Sequence, residues 1–146
     1  MPTAARLVSA ICLAVLAWFL SELVKPLLPE GTAFGSFNYI NVVLGVCAGW
    51  SIMGRRAGRG FVQGINNGMT GVAVLILWAI ATHSTIEMFR LAMRNRYDGP
   101  MEAITAIFLI GSEYGLLIMT PLVMGTAVVG ALLSGPAADF AAKHWR

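Results

Sequence analysis

Charge is scarce in this chain. Of its 146 residues only 12% are Asp, Glu, Lys or Arg, whereas 58% are hydrophobic. Soluble domains carry roughly 25% charged residues, so material for a water-facing surface is what this sequence lacks. Mean hydropathy of +0.75 points the same way. Intrinsic disorder requires low hydrophobicity and high charge and is excluded. Cysteine is nearly absent, and Cys12 and Cys47 alone cannot staple a disulfide scaffold. Histidine is limited to His83 and His144, which the span assignment below puts on opposite sides, against a bis-histidine haem. Ten Lys and Arg with a net charge of +3 are scattered along the chain, so there is no basic face and no nucleic-acid partner is expected. What remains is an all-α, polytopic membrane protein forming one domain, with the lipid bilayer as its first partner.

Long hydrophobic runs are abundant. The first, Leu7–Val24, contains only Ser9, Ser21 and Glu22 as polar residues and suits a helix over about 4–25, opened by Thr3 as N-cap and stopped at Pro26. Arg6 before an apolar core also fits a signal peptide, but no small-x-small cleavage site follows, so an uncleaved anchor is expected. Lys25–Gly35 has two prolines and two glycines and reads as a turn. The second helix is predicted at about 37–54, followed by the short basic loop Gly54–Gly60, and the third at about 64–84. Between 85 and 97 the pattern changes. Ile86, Phe89 and Met93 recur on one helical face and Glu87, Arg90 and Arg94 on another, which predicts an amphipathic segment at the membrane surface. Asp98-Gly99-Pro100 ends it. Residues 104–133 are too long for one crossing and too short for two. They are assigned to one helix kinked near Pro121, crossing from about Glu113 to Leu133, which makes four transmembrane helices.

Four crossings put both termini on one side. That side collects Arg6, Arg55, Arg56, Arg59, Lys143 and Arg146, and the other Lys25, Arg90, Arg94 and Arg96. The excess of Lys and Arg places the termini in the cytoplasm. Glu30, Glu87, Asp98 and Glu102 fall on the second side. Trp50, Phe61, Phe140 and Trp145 fit an inner aromatic belt, and Phe34, Phe37, Tyr39 and Tyr97 an outer one.

Chemistry is concentrated in the outer half. Glu22, Asn38, Asn41, His83, Ser84, Glu87 and Glu113 all fall there, and polar groups in lipid face a bundle interior. His83 and Glu87 are four residues apart on one helical face, so Glu22 or Glu113 from neighbouring helices would complete a metal or proton-relay site. The alternative is that these groups satisfy each other or water at the headgroup boundary. Arg90, Arg94 and Arg96 are candidate anion contacts. Arg55, Arg56 and Arg59 are candidate contacts for anionic lipid headgroups, since the loop lacks the Lys-Ser/Thr of a phosphate-binding loop. Gly45/Gly49, Gly64/Gly68 and Gly111/Gly115, each spaced by four, are small-xxx-small faces that close a bundle, an oligomer seam or a dock onto a larger membrane complex. Cys12 and Cys47 read as small buried apolar residues within reach of one another. No nucleophile–base spacing suggests an enzyme, and no cofactor is indicated.

Several stretches carry a family resemblance: MPTAARLVSAICLAVLAW at the start, MGRRAGRG, NNGMTGVAVL, EMFRLAMRNRYDGPMEA and EYGLLIMTPLVMGT. Across nearly its whole length the chain resembles the TrgA family, small alphaproteobacterial membrane proteins associated with tellurite resistance. Arg90–Pro100 is the most specific part. The resemblance implies a four-span inner-membrane protein with a role in resistance to a toxic oxyanion, and it supplies no catalytic residues. Two functions follow as expectations: handling or export of an oxyanion or metal ion, and a non-catalytic accessory subunit.

Overall fold

The computed structural model describes residues 4–28 and 35–145. Thr3, Glu30, Phe34 and Arg146, used above for capping, side assignment and the aromatic belt, lie outside them. The described residues form helices α1 (Ala4–Val24), α2 (Phe37–Ala48), the single turn α3 (Gly54–Arg56), α4 (Phe61–Ala92), α5 (Pro100–Ile118) and α6 (Pro121–His144). A 3-10 turn, Lys25–Leu27, finishes α1, and a π-helical turn, Gly49–Met53, joins α2 to α3. Five segments, Ala4–Leu27, Phe37–Arg56, Phe61–Ala92, Pro100–Ile118 and Pro121–His144, are long and apolar enough to cross a membrane.

Hydroxyl residues sit inside these apolar helices because each helix satisfies them itself. Ser9, Ser21 and Ser84 donate to the carbonyls of Ala5, Ala17 and Ile80 at 2.6, 2.7 and 2.6 Å. A polar atom satisfied one turn back is tolerable where water is absent.

Three boundaries differ from expectation, the simplest being the end of the last helix, which runs on to His144 instead of stopping at 133. The amphipathic segment is not a separate surface helix: α4 runs unbroken from Phe61 to Ala92, about 48 Å at 1.5 Å per residue. It ends in a turn where Asn95 takes φ 54°, a left-handed conformation that Asn tolerates. Its polarity is also inverted relative to a helix on a membrane surface. Phe89 and Met93 are 59% and 86% exposed, while Glu87 and Arg90 turn toward the bundle. The expected kinked helix over 104–133 is instead two helices. The residue before a proline is pushed out of the α region, and Thr120, with ψ 146°, is extended. The chain therefore stops at Ile118 and restarts with Pro121 in the first turn of α6, where its missing N–H costs nothing.

Glycine contacts fix the register. A Cβ on Gly45 would lie 2.6 Å from the Leu13 carbonyl oxygen and one on Gly54 2.6 Å from the Arg6 Cα, so α2 and α3 run antiparallel against α1. Gly64 faces Gly135 and Asp139, and Gly68 faces Ala131 and Gly135, which makes α6 antiparallel to α4. Gly111 of α5 meets Ser84 and Ile80 of α4. Thus α5 covers the C-terminal part of α4 and α6 covers its N-terminal part. The two follow one another in the same direction and do not pack side by side. The Gly45/Gly49 and Gly64/Gly68 faces are accordingly filled within the chain, and it is the bundle that they close. Gly115 has open space around it.

The core lies where α1, α2, α4 and α6 meet. Leu13, Met53 and Val123 are almost fully enclosed, with Leu16, Leu20, Val72 and Leu75 around them. Outside this core, α5 buries little beyond Ala106 and exposes Met101, Ile104, Phe108, Leu109 and Leu116.

Candidate functional site

Two polar arrangements stand out against this apolar frame, one at each end of the bundle. At the end holding the start of α1 and the close of α6, Asp139 is buried and accepts hydrogen bonds from the backbone N–H groups of Gly58 and Gly60 at 2.9 and 3.1 Å through Oδ1. Its Oδ2 stands 3.0 Å from Lys143 Nζ. Gly58 and Gly60 have φ of 93° and 122°, values that a side chain would strain. One carboxylate thus pins the loop between α3 and α4, and Arg55, Arg56 and Arg59 are turned outward, exposed.

Toward the other end lies a cavity of about 440 Å³ bounded by α1, α2, α4, α5 and the start of α6. Its size is that of sites for small organic molecules. Most of the wall is apolar: Leu20, Ile40, Leu75, Ile80, Leu117 and Val123 among others. Exposed Gly35, Ser36 and Ile86 form part of its rim. Ser21, Asn41, His83, Glu87, Arg90 and Tyr114 supply the polar wall.

A directed chain of hydrogen bonds runs through that wall. The Ser21 hydroxyl gives its proton to the Ala17 carbonyl, so its oxygen must accept from Asn41 Nδ2, at 2.8 Å. Asn41 then presents Oδ1 to His83 Nε2 at 2.9 Å, which requires a proton on Nε2 and so puts the lone pair of the neutral ring on Nδ1. Phe37 stacks on the imidazole with ring centroids 4.5 Å apart. Nδ1 of His83 and the Tyr114 hydroxyl have no hydrogen-bond partner among the described residues. Glu87 and Arg90, one turn apart, form an ion pair at 2.9 Å.

Compared with protein-family models, with curated proteins and with solved structures, the chain matches none.

Of the polar cluster predicted from sequence, His83 and Glu87 reach one cavity, and Glu22 and Glu113 do not. Glu22 is exposed and its Oε1 accepts from Lys25 Nζ at 2.9 Å and from Asn38 Nδ2. Glu113 is also exposed and does not line the cavity, although the adjacent Tyr114 does. Among the described residues no three His, Cys, Asp or Glu side chains come together as a metal site would need. Arg90 lines the cavity, whereas Arg94 and Arg96 are exposed beyond the end of α4. Cys12 is half-buried and Cys47 exposed, both as free thiols. Phe37, assigned to the outer belt, is turned inward onto His83, while Tyr39, Phe61, Phe140 and Trp145 are exposed as belt residues would be.

Sequence reasoning missed Tyr114 and Asp139. Tyr114 shares a helical face with Leu117 and Ile118, which hides it among core positions. Asp139 had a signal: it alone of the seven acidic residues falls on the arginine-rich side.

Proposed function

We propose that this chain is a four-span protein of the bacterial inner membrane, with both termini cytoplasmic, that supports resistance to a toxic oxyanion such as tellurite as a non-catalytic binding protein. Four crossings are supported by the serial arrangement of α5 and α6: both run antiparallel to α4 and divide its length between them. They act as two halves of one return path, broken at Met119 and Thr120. The cytoplasmic assignment rests on Arg6, Arg55, Arg56, Arg59 and Lys143, gathered at one end of the bundle, where they also meet anionic headgroups.

The cavity is the observation that carries the binding role. An oxyanion needs a positively charged, hydrogen-bonding enclosure, and here Arg90 is paired with Glu87 within largely hydrocarbon walls. Such a site suits a ligand that dissolves in lipid better than it suits an ion in transit. The link to oxyanion resistance comes from the TrgA resemblance, and the role is indirect on this reading. A second reading, an accessory subunit of a larger membrane complex, is favoured by α5, which exposes Met101, Ile104, Phe108, Leu109 and Leu116.

The test has two parts. Single cysteines placed at Arg56 and Asn95 in a Cys12→Ser, Cys47→Ser background are probed with a membrane-impermeant maleimide. Position 56 is expected to react only in inverted vesicles and position 95 only in spheroplasts. Purified chain in proteoliposomes is expected to carry no tellurite flux, although its loss lowers cellular tellurite tolerance. Flux by this chain alone, or both cysteines reacting on one side, overturns the proposal.

A further inference from the structure

The polar wall of the cavity has a hydrogen-bonding sense, and that sense narrows what can occupy it. The tautomer imposed on His83 by the Ser21–Asn41 chain leaves Nδ1 as an acceptor with a lone pair to fill. Tyr114, with its phenolic O–H, lines the same cavity and is able to donate. The charges present neutralise each other, so a charged head would meet no net countercharge in walls made largely of aliphatic side chains. A hydroxyl group, both donor and acceptor, meets the two requirements together: its proton goes to Nδ1 and its oxygen receives the Tyr114 proton. The remainder of the 440 Å³ is lined by Ala17, Leu20, Leu75, Ile76 and Ala79, which asks for an apolar body.

Resting on the binding role proposed above, we infer that the cavity takes an uncharged amphiphile from the membrane whose head bears a hydroxyl group, held between His83 Nδ1 and the Tyr114 hydroxyl. A quinol and a diacylglycerol share that chemistry, and the two sources are separated by the probes used. No covalent step is involved.

Full-length protein in lipid nanodiscs is titrated with decylubiquinol, decylubiquinone and 1,2-dioctanoylglycerol, with tellurite in parallel, and binding is read by calorimetry. Saturable binding of decylubiquinol or of the diacylglycerol is expected, and whichever binds tighter names the source. Decylubiquinone, which has the same body but only acceptors, is expected to bind about tenfold more weakly than decylubiquinol if the quinol is the ligand. Tyr114→Phe is expected to weaken the preferred probe about tenfold, the equivalent of one hydrogen bond of about 1.4 kcal/mol. Ala79→Phe, which fills the cavity with hydrocarbon and removes no polar group, is expected to abolish binding while the bundle keeps its melting temperature within a few degrees. The inference is overturned if neither hydroxyl probe saturates, if tellurite binds as tightly as they do, or if either Tyr114→Phe or Ala79→Phe binds like the parent chain. The maleimide topology is read independently, so failure of ligand binding is distinguishable from failure of the four-span, cytoplasmic-termini reading.

Discussion

Asn41 Oδ1 stands 2.9 Å from His83 Nε2, bridging helices α2 and α4 across 42 positions of sequence. Asn41 is 7% exposed and spends its amide N–H on Ser21 of α1, so one side chain ties three helices together. Interhelical hydrogen bonds of this kind contribute about 0.6–2 kcal/mol each in membranes. Asn41→Ala is expected to lower stability by about 1–2 kcal/mol in a reversible denaturation assay, since it leaves the His83 N–H without its acceptor. In the intact protein, the 15N spectrum of His83 should show a protonated Nε2 and a bare Nδ1. The opposite tautomer would contradict the hydrogen-bond chain.

Gly68 and Gly115 test the glycine faces against each other. A Cβ at position 68 would run into the Ala131 carbonyl oxygen and stand 3.0 Å from Gly135 Cα, both backbone atoms unable to step aside. Gly68→Ala should therefore separate α4 from α6 and cost several times more than Gly115→Ala, which opens onto free space. The latter is expected to be neutral or to gain up to about 1 kcal/mol from helix propensity. Melting temperatures of the two variants in one detergent decide the point, and equal losses would refute the packing.

Asp139 is expected to matter through its backbone partners more than through its ion pair. Lys143 is 50% exposed at its side chain, and a partly solvated pair of this kind contributes about 0–1 kcal/mol. Asp139→Ala removes the acceptor for two loop N–H groups and should cost about 2–3 kcal/mol. Asp139→Asn retains an acceptor oxygen and should cost less, and Lys143→Ala least. Limited proteolysis between Arg55 and Arg59 should follow that order, and cleavage in Lys143→Ala as fast as in Asp139→Ala would show that the ion pair dominates.

Pro121 is predicted to cause the break between α5 and α6. Pro121→Ala lifts the restriction on Thr120 and restores a donor for the Leu117 carbonyl. The two helices should then join, swinging α5 away from the end of α4. Spin labels at Phe89 and Phe108 should move apart by several ångströms in the variant. An unchanged distance would mean that packing of Gly111 against Ser84, and not the proline, sets the direction of α5.

Much of the fold could be read from the chain because lipid solvation leaves a coarse, local signature. Runs of apolar residues, the turn chemistry of Lys25–Gly35 and Asp98–Pro100, and the basic loop at Gly54–Gly60 marked the helix ends to within a few residues. The misreadings arose where two local rules competed. At Pro121 the hydrophobic run argued for continuity, and the steric restriction on the preceding residue prevailed. At Thr85 the change in polarity argued for a boundary, and the unbroken backbone ladder carried α4 on to Ala92.

Helical content, a low-charge exterior and the crowding of arginines toward one end were set by the sequence alone, since each depends on a residue and its near neighbours. Which polar groups meet was decided only by tertiary structure. Glu22 and Glu113 carry the same side chain as Glu87, yet they are exposed to the outside, whereas Tyr114 and Phe37 turn in toward the cavity that His83 lines. A helix face is chosen by how closely backbones approach at Gly45, Gly49, Gly64 and Gly68, and that choice depends on partners dozens of residues away, which no local pattern encodes.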